Sequence, residues 1–214
     1  MGNIVKIRQE LIKASVDLME REQELCLLDS YVGDGDHGTT VKKSFEIVKQ
    51  IAEEQSDHIS ELFQNCAAGI MDRSGGAIGP ILSAFFLGLA EGSEGKEELE
   101  GKEWAPLFAA ALRSVTEVGG ARPGDRTLVD TLAAVDQAFQ EYKDASCQEL
   151  WEKVIAYAYR GAMATGNMRA RKGRAKFLGE QSTGYVDAGA MTMYYFIRTI
   201  AEEEKIQQEN TNRE

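Results

Sequence analysis

The chain of 214 residues carries 43% hydrophobic and 28% charged side chains, proportions of an ordinary folded domain that exclude a disordered or fibrous protein. Its 35 acidic against 24 basic residues give a net charge of −11, which repels phosphodiester backbones and anionic lipid, so neither nucleic-acid nor membrane-surface binding is expected. The longest apolar run, Ala77 to Ala90, has 14 residues where roughly 20 span a bilayer.

Along the chain, apolar residues recur every three or four positions, the period of a helix. The first segment holds Ile4, Ile7, Leu11, Ala14 and Leu18, the second Val41, Phe45, Val48 and Ile51, and the third Ile59, Leu62, Phe63, Cys66 and Ile70. A fourth, at about 78–91, is apolar nearly all round and belongs at the centre. The fifth follows Glu103 with Pro106 in its first turn, where a missing N–H costs little. The remaining three run from about Thr127 to Tyr142, Gln148 to Asn167 and Ala188 to Glu203. Eight helices and no sheet are therefore expected, in one domain over 1–205. Lys96–Lys102 reads as a solvated loop. The tail from Glu202 onward is expected to fray, with 206–214 disordered and without function. Trp104 and Trp151 are read as core residues, and His58 as an exposed loop residue. No basic leader followed by an apolar stretch opens the chain. Cys26, Cys66 and Cys147 are odd in number and form no CxxC pair, which reads as reduced thiols in a cytoplasmic protein.

Twenty-one glycines are too many for helix interiors, where each costs about 1 kcal/mol relative to alanine. They cluster in connections: Gly33 to Gly38, Gly75 to Gly79, Gly119 to Gly124, then Gly179, Gly184 and Gly189. Glycines just before helix starts let backbone N–H groups approach an anion, so several such clusters point to a site.

The densest chemistry lies in Leu28-Asp29-Ser-Tyr-Val-Gly-Asp34-Gly-Asp36-His37-Gly38. Carboxylates gathered this closely repel one another without a cation, and all-oxygen ligation suits Mg2+ or Ca2+. An EF-hand begun at Asp34 fails, because its third ligand position falls on Gly38 and its twelfth on Phe45. Mg2+ takes few protein carboxylates and completes its shell with phosphate and water, so a phosphate ligand is implied. A turn with a helix N-cap accounts for one of the aspartates only. His37, between the aspartates and a helix opening Thr39-Thr40, reads as a phosphate contact, with a phosphohistidine role as the weaker alternative.

Residues 169–176 (RARKGRAK) hold five of the 24 basic residues. Such a segment often marks nucleic-acid binding or a solvated face. In so acidic a chain it reads better as a clamp on a polyphosphate, where arginine can stabilise charge during phosphoryl transfer. Gly124-Asp125-Arg126-Thr127 opens a helix with N–H donors and a hydroxyl. Tyr185-Val-Asp187-Ala-Gly189 does likewise, and Asp187 there is open to a simple N-cap role.

The segments GDGDHG, GGAIGP, PGDRTLVDTL and MRARKGRAKFLGEQSTGYVDAGA, in this order from about Asp29 to Met193, resemble the nucleotide-binding L subunits of dihydroxyacetone kinases. The resemblance implies an all-α, eight-helix antiparallel barrel with ADP/ATP and two Mg2+ ions in the loops at one end. It implies Asp29, Asp34 and Asp36 as metal ligands. Nucleotide contacts are implied at His37, Gly38, Thr39, Thr40, Ala77, Ile78, Gly119, Thr127, Leu128, Arg174, Asp187, Ala188 and Gly189. Arg174, Asp34 and Asp36 would carry the catalysis. The resemblance is to the free-standing, phosphotransferase-system form. There a phosphohistidine donor subunit recharges bound ADP, and ATP then phosphorylates dihydroxyacetone held by a K subunit. A related ketose such as erythrulose, a non-enzymatic nucleotide-bound regulator docking on a transcription factor, and a homodimer stay open. The family pattern has serine where Ile78 stands and proline where Ala188 stands, which leaves room for a variant substrate.

Overall fold

A computed structural model describes residues 2–211, with side chains over 3–207. Nine α-helices occur among the described residues: α1 (Gly2–Glu20), α2 (Glu22–Ser30), α3 (His37–Glu53), α4 (Ile59–Arg73), α5 (Ile78–Gly92), α6 (Ala105–Gly119), α7 (Leu128–Glu141), α8 (Cys147–Ala164) and α9 (Ala188–Thr211). Short 3-10 turns cover Gly101–Trp104, Thr165–Asn167 and Arg174–Ser182, and the described residues contain no strand. Capping chemistry sets several of the ends. Thr127 accepts the Val129 N–H while Asp130 accepts the Thr127 N–H, a reciprocal box that starts α7. Ser146 caps α8 through the Glu149 N–H, and Gly120 ends α6 in the left-handed region at φ 60.

The helix count exceeds the expected eight by α2, which Arg21 separates from α1. The apolar residues of α2 crowd into one run with no helical spacing, and Leu25 alone is buried, so periodicity could not reveal it. Eight helices nonetheless form the wall. In ring order α1 packs on α3, α3 on α4, and so on through α9, which returns to α1; α2 lies against α3 and α9. Successive wall helices run antiparallel, so alternate connections gather at one end.

The interior is aromatic. Phe45, Phe85, Phe86 and Phe196 meet with ring centroids 5.3–6.2 Å apart, and Trp104, Phe108, Phe139 and Trp151 form a second stack, all essentially buried. Each such ring contributes on the order of 2 kcal/mol by leaving water. The α5–α6 contact is closer than side chains permit. A Cβ on Gly88 would lie 2.3 Å from the Ala111 Cα, and one on Gly92 2.4 Å from the Leu107 Cα.

Two segments expected to be solvent-exposed carry contacts to the core. The helix α9 continues to Thr211, past Glu202 and position 206, where the frayed tail was expected to begin; residues 212–214 lie outside the described residues. Its Glu204 is 1% exposed, accepts the Trp104 indole N–H and the Gly101 N–H, both at 3.2 Å, and pairs with Lys6 at 2.5 Å. Lys96–Lys102 is mostly exposed, as expected, but is anchored to the core. Leu99 is fully buried and its N–H reaches Asn3 at 2.9 Å.

Candidate functional site

The connections α2–α3, α4–α5, α6–α7 and α8–α9 surround a cavity of about 390 Å³. The N-termini of α3, α5, α7 and α9 lie at this end, bringing the positive ends of their dipoles to the cavity. Such an arrangement attracts anions before any side chain is counted.

Asp29, in the last turn of α2, and Asp34 and Asp36, in the following turn, offer carboxylate oxygens that all lie within 4.8 Å of one another. The turn is built to hold them. The Gly33 N–H returns to the Asp29 carbonyl at 2.6 Å, and the Gly35 N–H donates to the Asp29 carboxylate at 2.9 Å. A side chain at Gly33 would collide with that carboxylate, its Cβ falling 2.3 Å from Oδ1. Three hard anionic oxygens so close suit magnesium in charge and donor type. Arg174 reaches across from the α8–α9 connection to Asp34 at 2.5 Å, a cation already drawn to the cluster.

One wall is polar. The Thr192 hydroxyl donates to the Ala188 carbonyl at 3.0 Å, so its oxygen accepts from His37 Nε2–H at 2.8 Å. Burial pushes the His37 imidazole down to about 4, against the pull of Asp29, leaving the ring neutral near pH 7. Asp187 caps α9 through the Ala190 N–H at 2.8 Å, and burial raises its carboxyl to about 6, opposed by that N–H and by Arg126. The apolar part of the lining is made by Ile78, Ile81, Val115, Ala121, Leu128 and Val129.

The long α8–α9 connection is held tightly. The Arg171 N–H donates to the Asp125 carbonyl at 3.1 Å, Gly184 to Gly166 at 2.7 Å, and Asp187 to the Thr165 hydroxyl at 2.9 Å. Tyr185 stacks on Tyr31 with centroids 5.0 Å apart, joining this connection to the aspartate turn.

Of the residues singled out in the sequence, Asp29, Asp34, Asp36, His37, Thr40, Ala77, Ile78, Gly119, Thr127, Leu128, Arg174, Asp187, Ala188 and Gly189 line the cavity. Gly38 and Thr39 do not. One residue of helix turns about 100°, so the face that carries His37 and Thr40 inward carries these two toward α2. There Gly38 admits the α2 backbone, a Cβ falling 2.0 Å from the Glu22 carbonyl, and the Thr39 hydroxyl reaches the Glu22 carboxylate at 3.2 Å. Sequence reasoning missed Ile81 and Val115, and named Arg126 and Lys172 only within their segments, without an individual role. Ile81 follows Ile78 by three and Val115 precedes Gly119 by four, a helical spacing that pointed to them; Arg126 and Lys172 stood beside residues already singled out.

The DAK2 domain family model matches residues 31–202. The chain belongs to the DAK2 domain family. Among its relatives, the PEP-dependent dihydroxyacetone kinase, ADP-binding subunit DhaL, of Escherichia coli K12 is 30% identical over 189 residues, covering 86% of this chain and 90% of that one. The PTS-dependent dihydroxyacetone kinase, ADP-binding subunit DhaL, of Lactococcus lactis is 30% identical over 89% of this chain and 92% of its own length. Mouse triokinase/FMN cyclase is 31% identical over 86% of this chain but only 32% of that protein, so there the DAK2 domain is part of a longer chain. The dihydroxyacetone kinase of C. freundii in its native form shares the fold, with a TM-score of 0.72 and 23% identity over 92% of this chain, which spans 34% of that one.

Proposed function

We propose that this chain carries ADP and ATP with two Mg2+ ions as the nucleotide subunit of a dihydroxyacetone kinase of the PEP-dependent type. The observation that carries the reading is the clustering of Asp29, Asp34 and Asp36 within 4.8 Å at the mouth of a cavity ringed by four helix N-termini. The names of the two bacterial subunits that match over nine-tenths of their length support it. In this reading a phosphohistidine-bearing donor subunit recharges ADP, and a K subunit presents dihydroxyacetone to the ATP so formed.

The proposed division of labour draws on the geometry of the site. Asp29, Asp34 and Asp36 would hold the magnesium ions. When bound, magnesium supplies charge neutralisation and alignment for phosphate oxygens. Arg174, paired with Asp34, is within reach to turn its guanidinium toward the transferring group and meet charge developing there. The apolar wall of Ile78, Ile81, Val115 and Leu128 offers a face for the base, while N–H groups opening α3, α5 and α9 are placed for phosphate or ribose oxygens. His37 is read as a nucleotide contact, its ring held on the cavity wall by the Nε2–H bond to Thr192; phosphate found only on nucleotide, and no acid-labile phosphate on the protein, checks this against a phosphohistidine role.

Native mass spectrometry of the purified protein should show an added mass of ADP plus two magnesium ions. Asp34→Ala and Asp36→Ala should each keep the helical fold, release nucleotide and lower turnover with donor and K-type partners by roughly 100-fold or more. Retained nucleotide with near-normal turnover in either variant overturns the assignment. A ketose panel including dihydroxyacetone and erythrulose identifies the acceptor.

A further inference from the structure

Arg126 is the one residue other than glycine with a positive φ among the described residues, at φ 63. An L side chain in that region crowds the neighbouring backbone, whereas glycine adopts it freely. A long side chain stays in that region only where its surroundings hold it there.

The Arg126 side chain is 1% exposed, although it lies on the cavity wall. Its Nε and Nη2 both donate to the Tyr185 carbonyl, at 3.2 and 2.8 Å. Its Nη1 is buried without a hydrogen-bond partner. The charges that act on it are those of Asp187 and Asp29, which favour the guanidinium against its burial. Arg126 also directly precedes Thr127, the residue that caps α7. The side chain therefore ties the α6–α7 connection to the segment that carries the stacked Tyr185, the capping Asp187 and Gly189.

We infer that Arg126 is a positioning residue for the nucleotide: its planar fork fixes the Tyr185–Gly189 wall against the start of α7. This inference rests on the nucleotide reading above. Lysine keeps the charge but cannot place two parallel N–H groups on one carbonyl. Glycine keeps the backbone conformation without strain and removes the fork.

The test is calorimetric titration of ADP with Mg2+ into wild type, Arg126→Lys and Arg126→Gly, well below their unfolding temperatures. Both folded variants should lose affinity by about tenfold or more, the weight of a hydrogen-bonded charged group. In turnover assays the loss should fall on the nucleotide KM more than on kcat. A residue important only for folding would lower the melting temperature and leave affinity unchanged. If a folded variant binds within about twofold of wild type, the inference fails. Should both variants fail to fold, nitrogen NMR of the wild-type arginine side chains decides: the shielded Arg126 Nε–H signal must shift on adding ADP with Mg2+, and a signal that stays put overturns the role. Wild type that binds no ADP with Mg2+ refutes the nucleotide reading itself, whereas binding by wild type with undiminished variants refutes only Arg126.

Discussion

Glu10 lies fully buried in α1, at the end of the barrel away from the cavity. Lys6 is 3.8 Å from it but 2.5 Å from Glu204, so one lysine serves two carboxylates and favours the second. Glu10 Oε2 receives no donor, Gln207 stands 3.5 Å from Oε1, and a Glu10–Glu204 hydrogen bond favours the protonated carboxyl. Burial, then the charge of Glu204, push the Glu10 carboxyl up to about 9, so the folded protein holds a proton there that the unfolded chain releases near pH 4.5. The sign follows. A raised acid gives its full stability below the unfolded value, and that contribution fades as pH climbs to about 9. Glu10→Gln imitates the protonated form and should remove this slope. Its advantage should be on the order of 1–3 kcal/mol at pH 8, roughly 3–10 °C in melting temperature, and small at pH 5. Melting curves at pH 5, 7 and 9 check it, and parallel pH profiles for the two proteins would contradict the assignment.

At the scale of elements, α5 and α6 meet through glycine. Alanine is the better helix former by about 1 kcal/mol, so an exposed Gly88→Ala would stabilise a helix. Here the new methyl would meet the Ala111 backbone at 2.3 Å, which forces the helices apart. Gly88→Ala is expected to cost about 1–3 kcal/mol, measured by urea unfolding; a gain in stability would show that the contact can yield. The pair Gly88 and Gly92 was visible in the sequence at a spacing of one helical turn, inside an apolar segment, but only the position of α6 gives it meaning. The same holds for the rest. Helices with a regular apolar stripe were legible, because burial imposes that stripe. The short α2 and the end of α9 were not, since one buries a single leucine and the other depends on Glu204 meeting Trp104, 100 positions away in the chain. In the site, Asp29, Asp34 and Asp36 were legible as neighbours in sequence. The inward face of Arg126 and the departure of Gly38 and Thr39 from the cavity depend on how distant segments fold together.

Across the whole molecule, the two ends of the barrel are stabilised by different means. The far end is closed by its own chain, through the Glu204 bonds to Trp104, Gly101 and Lys6. The cavity end instead gathers like charges: three carboxylates within 4.8 Å, relieved by Arg174 on Asp34. Metal and diphosphate should relieve that repulsion together. Neither alone does so, since ADP adds negative charge to an acidic cluster and magnesium alone leaves its shell to water. Saturating ADP with Mg2+ should therefore raise the melting temperature far more than the separate additions combined. At 100 times the dissociation constant the gain is about 2.7 kcal/mol, roughly 5–10 °C for a chain of this size. Hydrogen exchange should show the largest added protection at the four connections around the cavity, in excess of the global gain shared by amides near Gly101 and Glu204. Equal shifts from ADP alone would mean that the aspartates hold no metal against the nucleotide, and protection spread evenly over both ends would mean that the loops do not close on it.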